Sequence, residues 1–317
     1  MQLGMIGLGR MGSSMAERLI RGGHTVITYD IDPGAARQAV EKGALGAGSV
    51  EELVERLDRP RIVWIMVPAG EPTRRTVESL AGRLSEGDII IDGGNSYYRD
   101  TVELSAWLSG KGLHLLDAGT SGGVWGLEAG YCLMIGGEKE TFAKVEPVFR
   151  TLAPSPDSGY AHVGPNGAGH FVKMVHNGIE YGIMQSYAEG FELMQARTEF
   201  GLDLYQIAEV WRRGSVIRSW LLDLVAAILH ESPRLDDIEA YVDDSGEGRW
   251  MVHEAVDLAI PTFAISQALQ ARFRSRQEQP LGPRLLSALR SQFGGHAIRR
   301  FGQSVLPAEP GGEPEDA

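Results

Sequence analysis

Cysteine is nearly absent from this chain of 317 residues: Cys132 is the only one. No disulfide can therefore form within the chain, and a reducing, cytoplasmic setting is expected. No apolar run approaches the roughly 20 residues that a membrane-spanning helix needs. The N-terminus has no basic segment and enters a strand pattern at once, unlike a secretory signal. No stretch is rich in lysine and arginine, and 30 basic residues against 42 acidic ones leave a net charge of −12. That balance argues against nucleic acid and anionic membrane as partners. An anionic substrate would need a local cluster of cations to overcome the overall field. Internal repeats are also missing. The remainder, 43% hydrophobic and 23% charged, is the composition of a soluble globular protein, and the length suits two domains.

Glycine is plentiful, at 41 residues. A buried-strand pattern over 3–8 runs into Gly7-Leu8-Gly9-Arg10-Met11-Gly12, and a helical pattern follows through Met15, Leu19 and Ile20 until Gly22-Gly23 stops it. A second strand over 25–29 ends at Asp30. A lone GxGxxG is weak, and a plain βα turn is its alternative. Placed between strand and helix and followed by an acidic residue at the next strand end, it is the dinucleotide fingerprint. Its glycines permit the tight turn and let backbone N–H groups reach a pyrophosphate. Asp30 suits the ribose hydroxyls of NAD and repels a 2′-phosphate, and Ile31 follows in place of an arginine, so NAD is expected over NADP.

Strand patterns recur at 61–67, 88–92, 113–117 and 131–135, with helical patterns at 73–84, 99–109 and 138–152. This alternation predicts an α/β Rossmann-type, doubly wound, mostly parallel sheet, followed by an all-helical C-terminal domain. Helices are predicted at 167–199, 203–213, 215–230, 235–240, 250–259 and 261–276. The expected division is a dinucleotide-binding domain at 1–165, a helical substrate and dimerisation domain at 166–305, and a disordered tail at 306–317.

The run 167–181 carries the most chemistry. At about 100° per residue, Lys173, His176, Asn177, Glu180 and Tyr181 share one arc of roughly 140°. Phe171, Val172, Met174, Val175 and Ile179 are expected to be buried. An ordinary solvated face repeats a few charged types. Five polar residues of five types, preceded by Gly167 and Gly169, read better as the wall of a site. Asn95 and the loop Ser121-Gly122-Gly123 fall at strand ends, where ligands of such sheets bind, and the loop could cradle a carboxylate.

Taken together, GLGRMG at 7–12, IIDGGNSYYRDT at 90–101, SGG at 121–123, GAGHFVKMVHNGIEYG at 167–182 and RSQFGGH at 290–296 resemble the 6-phosphogluconate dehydrogenases (decarboxylating) of the short type, within the β-hydroxyacid dehydrogenase superfamily. The resemblance implies oxidative decarboxylation of 6-phospho-D-gluconate to ribulose 5-phosphate and carbon dioxide, a step of pentose phosphate metabolism. It implies Lys173 as base and then acid at the substrate 3-hydroxyl, and Glu180 as the acid that protonates the enediol. Asn95, Ser121, Gly122, Gly123, His176 and Asn177 would hold the substrate carboxylate and hydroxyls. Tyr181, Arg272, Arg290 and His296 would hold its phosphate. Cofactor contacts would come from Gly7, Leu8, Gly9, Arg10, Met11, Gly12, Asp30, Asn95 and the turn Val67-Pro68-Ala69, where Pro68 replaces a lysine of the family's long members. Asp244-Ser245-Gly246-Glu247-Gly248-Arg249-Trp250 also lacks a lysine of those members, which leaves Arg249 as a candidate for the phosphate. A homodimer or homotetramer is implied.

The residue types agree with that chemistry. Oxidising a hydroxyl needs a base, and lysine can serve if burial lowers its pKa. A β-keto acid loses carbon dioxide once its carbonyl is polarised, and no metal-ligand cluster is apparent. Two alternatives stand beside this reading. One is an NAD-dependent dehydrogenase of an unphosphorylated β-hydroxy acid such as 3-hydroxyisobutyrate; the other is a dinucleotide sensor without catalysis.

Overall fold

The computed structural model describes residues 1–295 and 297–300. His296 and the predicted tail at 306–317 lie outside the described residues. Among the described residues eight strands are laid down in chain order: β1 (Gln2–Ile6), β2 (Thr25–Tyr29), β3 (Leu45–Gly46), β4 (Ile62–Ile65), β5 (Ile89–Asp92), β6 (His114–Ser121), β7 (Cys132–Gly137) and β8 (Tyr160–Gly164). They form one sheet of order β3-β2-β1-β4-β5-β6-β7-β8. All neighbours are parallel except β6 and β7, which are antiparallel. Between the strands come α1 (Arg10–Arg21), α2 (Pro33–Glu41), α3 (Val50–Glu55), α4 (Glu71–Ala81), α5 (Tyr98–Ser109), α6 (Gly126–Ala129) and α7 (Lys139–Leu152). The short β3 and the terminal β8 carry little apolar alternation and add to the expected strands.

The sheet is covered on both faces, so its central strands are apolar on both sides. Alternation still decides which core each residue enters. Ile62 and Trp64 of β4 and Ile89 and Ile91 of β5 join one core with Met15, Leu19 and Phe149. Val63, Ile65 and Ile90 join the other with Leu53, Val77 and Leu104. Trp64 and Phe149 are fully buried and meet edge to face at 5.8 Å. Truncating either to alanine costs about 3–5 kcal/mol on general grounds.

After Gly164 the chain is helical: α8 (Ala168–Ala196), α9 (Leu204–Arg212), α10 (Trp220–Glu231), α11 (Glu247–Asp257), α12 (Phe263–Ser275) and α13 (Leu281–Gly294). Helix α8, 29 residues long, is bolted to the sheet at its start. The buried carboxylate of Asp117 on β6 accepts N–H bonds from Gly167 (2.8 Å) and His170 (2.9 Å). A Cβ at Gly169 would collide with backbone of β6 and β7, so only glycine lets this turn lie flat on the sheet. Farther along, Phe191 of α8 packs with Ala208, Leu222 and Leu229 of α9 and α10.

Two helical expectations change, and one further helix is found. The helix expected over 215–230 begins at Trp220, because the Ser219 hydroxyl caps it by accepting the Leu222 N–H at 3.1 Å. The stretch 235–240 is a turn, with Leu235 at φ 54° and Ile238 N–H bonded to its carbonyl. Helix α13 lies beyond the last expected helix at 261–276, in a stretch that holds Pro280 and Pro283. Pro280 is its N-cap and Pro283 lies in its first turn, where a missing N–H costs nothing.

Candidate active site

The turn after β1 shows why its glycines are required. Gly7 has φ 92°, and a Cβ on Gly12 would run into the Gly7 carbonyl. Helix α1 thus starts tight against β1. Its N-cap, Gly9, has no side chain to occupy the first N–H groups. Those donors, with the positive end of the helix dipole, form an anion site at the strand ends. The Asp30 carboxylate at the end of β2 braces the turn: it accepts the Leu8 N–H at 2.5 Å and the Asp32 N–H at 2.7 Å. Lone pairs remain on it for ribose hydroxyls.

This turn opens into a cleft of about 1920 Å³ that continues to α8. Gly7, Gly9, Arg10, Met11, Asp30, Val67, Pro68, Ala69 and Asn95 line it. Leu8 and Gly12 do not. Leu8 is buried in the sheet core with its N–H committed to Asp30, and Gly12 serves the close approach of α1. Asn95 stands exposed on a loop fixed from below, where Asp92 accepts bonds from Gly94 N–H (3.0 Å) and Ser96 Oγ (2.7 Å). Ser121, Gly122 and Gly123 line the same cleft at the end of β6.

Across from them stand Lys173, His176, Asn177 and Glu180 of α8. Lys173 packs its stem over Gly119 of β6. Burial holds its ammonium below the ordinary lysine range, while Glu180, Glu247 and Cys132 pull the other way. His176 Nδ1 lies 3.1 Å from Asn177 Oδ1 and 3.8 Å from Glu180 Oε2.

Other expected residues fall elsewhere. Tyr181 is 6% exposed and does not line the cleft. It sits at the edge of the polar arc, turned toward α12, where the Arg272 guanidinium stacks 3.5 Å from its ring centre. Arg272 also donates to the Asp243 carbonyl (2.8 Å) and lies beside the cleft instead of in it. Arg249 is spent on Asp244, at 2.5 and 3.1 Å. Arg290 is exposed on α13 and is not among the cleft residues. On α8 itself, Ile179 is 50% exposed and Val172 and Val175 face the cleft, against the expectation that all three are buried. The helix is rotated so that this apolar edge, not Tyr181, completes the wall.

Several cleft residues were missed. Ser245 and Glu247 line it from the start of α11, Trp125 from the loop after Gly123, and Trp220 from α10. Glu247 had a signal, a charged residue between two glycines at a helix start. The tryptophans had none, since large apolar residues read as core.

Among the described residues no group of His, Cys, Asp and Glu could hold a metal, and no helix is long and apolar enough to cross a membrane.

The sequence and the fold both resemble those of known proteins. Residues 2–164 match the family model for the NAD binding domain of 6-phosphogluconate dehydrogenase, and residues 169–280 match the model for the C-terminal domain of that enzyme. A Bacillus subtilis protein provisionally named 6-phosphogluconate dehydrogenase YqeC is 41% identical over 302 residues, 95% of this chain and 100% of that one. The NAD(+)-dependent, decarboxylating 6-phosphogluconate dehydrogenase of Haloferax volcanii is 42% identical over 301 residues, covering 95% and 99%. The solved Plasmodium falciparum 6-phosphogluconate dehydrogenase superposes with a TM-score of 0.80 at 28% identity, over 98% of this chain and 67% of that one. From its sheet through its helical half, this chain belongs to the 6-phosphogluconate dehydrogenase family.

Proposed function

We propose that this chain catalyses NAD-dependent oxidative decarboxylation of 6-phospho-D-gluconate to D-ribulose 5-phosphate and carbon dioxide. The observation that carries it is the single cleft in which Lys173, His176, Asn177 and Glu180 face the glycine turn and the Ser121-Gly123 loop. In this reading residues 1–165 hold the cofactor and 166–305 supply the chemistry. The residues fit a dinucleotide: the uncapped start of α1 suits a pyrophosphate and Asp30 suits ribose hydroxyls. When bound, the cofactor supplies the hydride acceptor. Asp30, exposed Ile31 and the name of the Haloferax relative support NAD, whereas the Plasmodium structure was solved with NADP+.

The protein's own part is proton traffic. Neutral Lys173 takes the proton of the 3-hydroxyl as hydride leaves C3. The resulting ammonium returns that proton to the C3 oxygen as the bond to the carboxylate breaks and carbon dioxide departs, which leaves an enediol. Glu180 protonates the terminal carbon while Lys173 accepts the enediol hydroxyl proton, giving the ketone. Passage of one proton from Lys173 back to Glu180 resets the site. Ser121, Gly122 and Gly123 hold the carboxylate before it leaves, and Asn95, His176 and Asn177 orient the hydroxyls.

Tyr181 and Arg272, stacked on each other beside the cleft, would hold the phosphate. We assign Arg290 and His296 to the same site through a partner subunit, in a homodimer or homotetramer. The exposure of Arg290 away from the cleft supports this, as do the exposed Leu281, Leu285, Leu286 and Leu289 along α13. The test is the initial rate of NAD and NADP reduction with 6-phosphogluconate, with carbon dioxide trapped. Rapid NAD reduction with one carbon dioxide per NADH is expected. Turnover of 3-hydroxyisobutyrate alone would overturn the substrate.

A further inference from the structure

Glu247 is the most deeply buried carboxylate of the cleft wall, 1% exposed, and nothing in the proton traffic above uses it. Its Oε2 accepts the Ser245 hydroxyl at 2.6 Å. Among the described residues no cation pairs with it: the neighbouring Arg249 and the nearby Arg276 are both turned to Asp244. With one hydrogen bond accepted from Ser245, the carboxylate keeps acceptor capacity for a ligand in the cleft. An acidic residue in the first turn of α11 gains from the helix dipole, but that gain is available to an exposed side chain and does not account for burial in the cleft.

Its position along the cleft is set by its neighbours. Gly248 packs directly beneath the Tyr181 ring, where a Cβ would collide, and the Ser245 N–H faces Tyr181 Oη at 3.5 Å. On the other side Glu247 lines the same cleft as Lys173 and favours its ammonium form. It therefore lines the cleft that Lys173 also faces, next to the Tyr181–Arg272 stack. A carboxylate there repels a phosphate and accepts hydrogen bonds from hydroxyls.

We propose that Ser245 and Glu247 form a hydroxyl-reading subsite that binds the substrate's hydroxyls on the carbons between the oxidised carbon and the phosphate. This rests on the substrate reading above and deepens it: the run that lacks a phosphate-binding lysine reads the polyol chain instead. Glu247 is a specificity residue here, and no bond is made or broken at it.

The experiment measures binding and kcat/KM for 6-phosphogluconate and its 4-deoxy and 5-deoxy analogues, in wild type, Glu247→Gln and Glu247→Ala, on the full-length enzyme with NAD. In wild type, loss of the hydroxyl that is read should cost about 10- to 100-fold, the range for a hydrogen bond to a charged group. In Glu247→Ala the same omission should cost almost nothing, with Glu247→Gln in between and NAD affinity unchanged. A merely structural role would weaken hydroxylated and deoxy substrates alike; an unchanged ratio in both variants overturns the proposal. If Glu247→Ala does not fold, the isosteric Gln variant decides. If wild type ignores 6-phosphogluconate, the substrate reading fails by itself. The same ratio for D-gluconate and 4-deoxy-D-gluconate then decides the subsite, since the hydroxyls and not the phosphate are its ligand.

Discussion

On the sheet side of the cleft the groups offered to a ligand are mostly backbone: the N–H groups at the start of α1, the Gly122–Gly123 turn, and loops braced by Asp30 and Asp92. On the helical side they are ionisable side chains of α8 and α11: Lys173, His176, Glu180 and Glu247. The two halves also differ in how they finish their cores. The central strands β4 and β5 are buried on both faces, whereas α13 leaves four leucines exposed. A backbone cradle holds shape without titrating, so it suits a cofactor whose charge does not change at the pyrophosphate. Side chains that exchange protons must be placed on a rigid helix and partly desolvated. That division predicts that substitutions on the helical wall strike turnover, and those on the sheet wall strike cofactor choice.

The largest effect is expected at Lys173. Lys173→Met should lower kcat by about 10³-fold or more, within the range for a lost acid–base group, and leave NAD affinity intact. Single-turnover NADH formation and NAD titration check both parts. Loss of NAD binding would mean that the two walls are not separable. Next comes α13. On the proposed assignment of Arg290 to the phosphate site across a subunit interface, Leu285→Asp with Leu289→Asp should give monomers by light scattering and a loss of about 10²-fold in kcat/KM. A persisting oligomer with full activity would show that this helix is not an interface.

A smaller effect concerns pH. Burial disfavours the Lys173 ammonium, so the neutral base is reached at lower pH than for a free lysine near 10.4. The acid limb of kcat/KM is expected below that value. Glu180 and Glu247 both favour the ammonium, so Glu247→Gln should move the limb further down, not up. Folding stability has the matching sign. With the folded pKa depressed, the unfolded chain binds the proton more readily, and the cost of burying Lys173 is relieved as pH rises through that window.

Much of the fold and of the cleft wall is legible in the sequence. The strand–GLGRMG–helix context and the i, i+3, i+4, i+7 spacing from Lys173 are local periodicities, and local periodicity fixes which residues share a wall. Tyr181 escaped because the arc shows which residues are neighbours on a helix, not how the helix is rotated. That rotation is set by α11 and α12, through Gly248 beneath the ring and Arg272 above it. Glu247 escaped because its burial arises from packing against α8, far away in sequence. Helix α13 escaped because proline is informative only once its position in the first turn is known.

The smallest effect tests the sheet wall alone. Asp30 is expected to disfavour a 2′-phosphate by charge, and Asp30→Ala should narrow the NAD to NADP ratio of kcat/KM by about tenfold, the size of one modest electrostatic contact. The carboxylate has a second duty, since it braces Leu8 and Asp32. Some loss with both cofactors is therefore expected, and only the ratio isolates the charge. Asp30→Asn separates the two further, because its amide oxygen can still accept the Leu8 N–H while the negative charge is gone. A narrowed ratio in Asn with NAD affinity largely kept would place selectivity in the charge. An unchanged ratio in both variants would shift it elsewhere on the cleft, with Arg10 and Arg75 the cations that line it on that side.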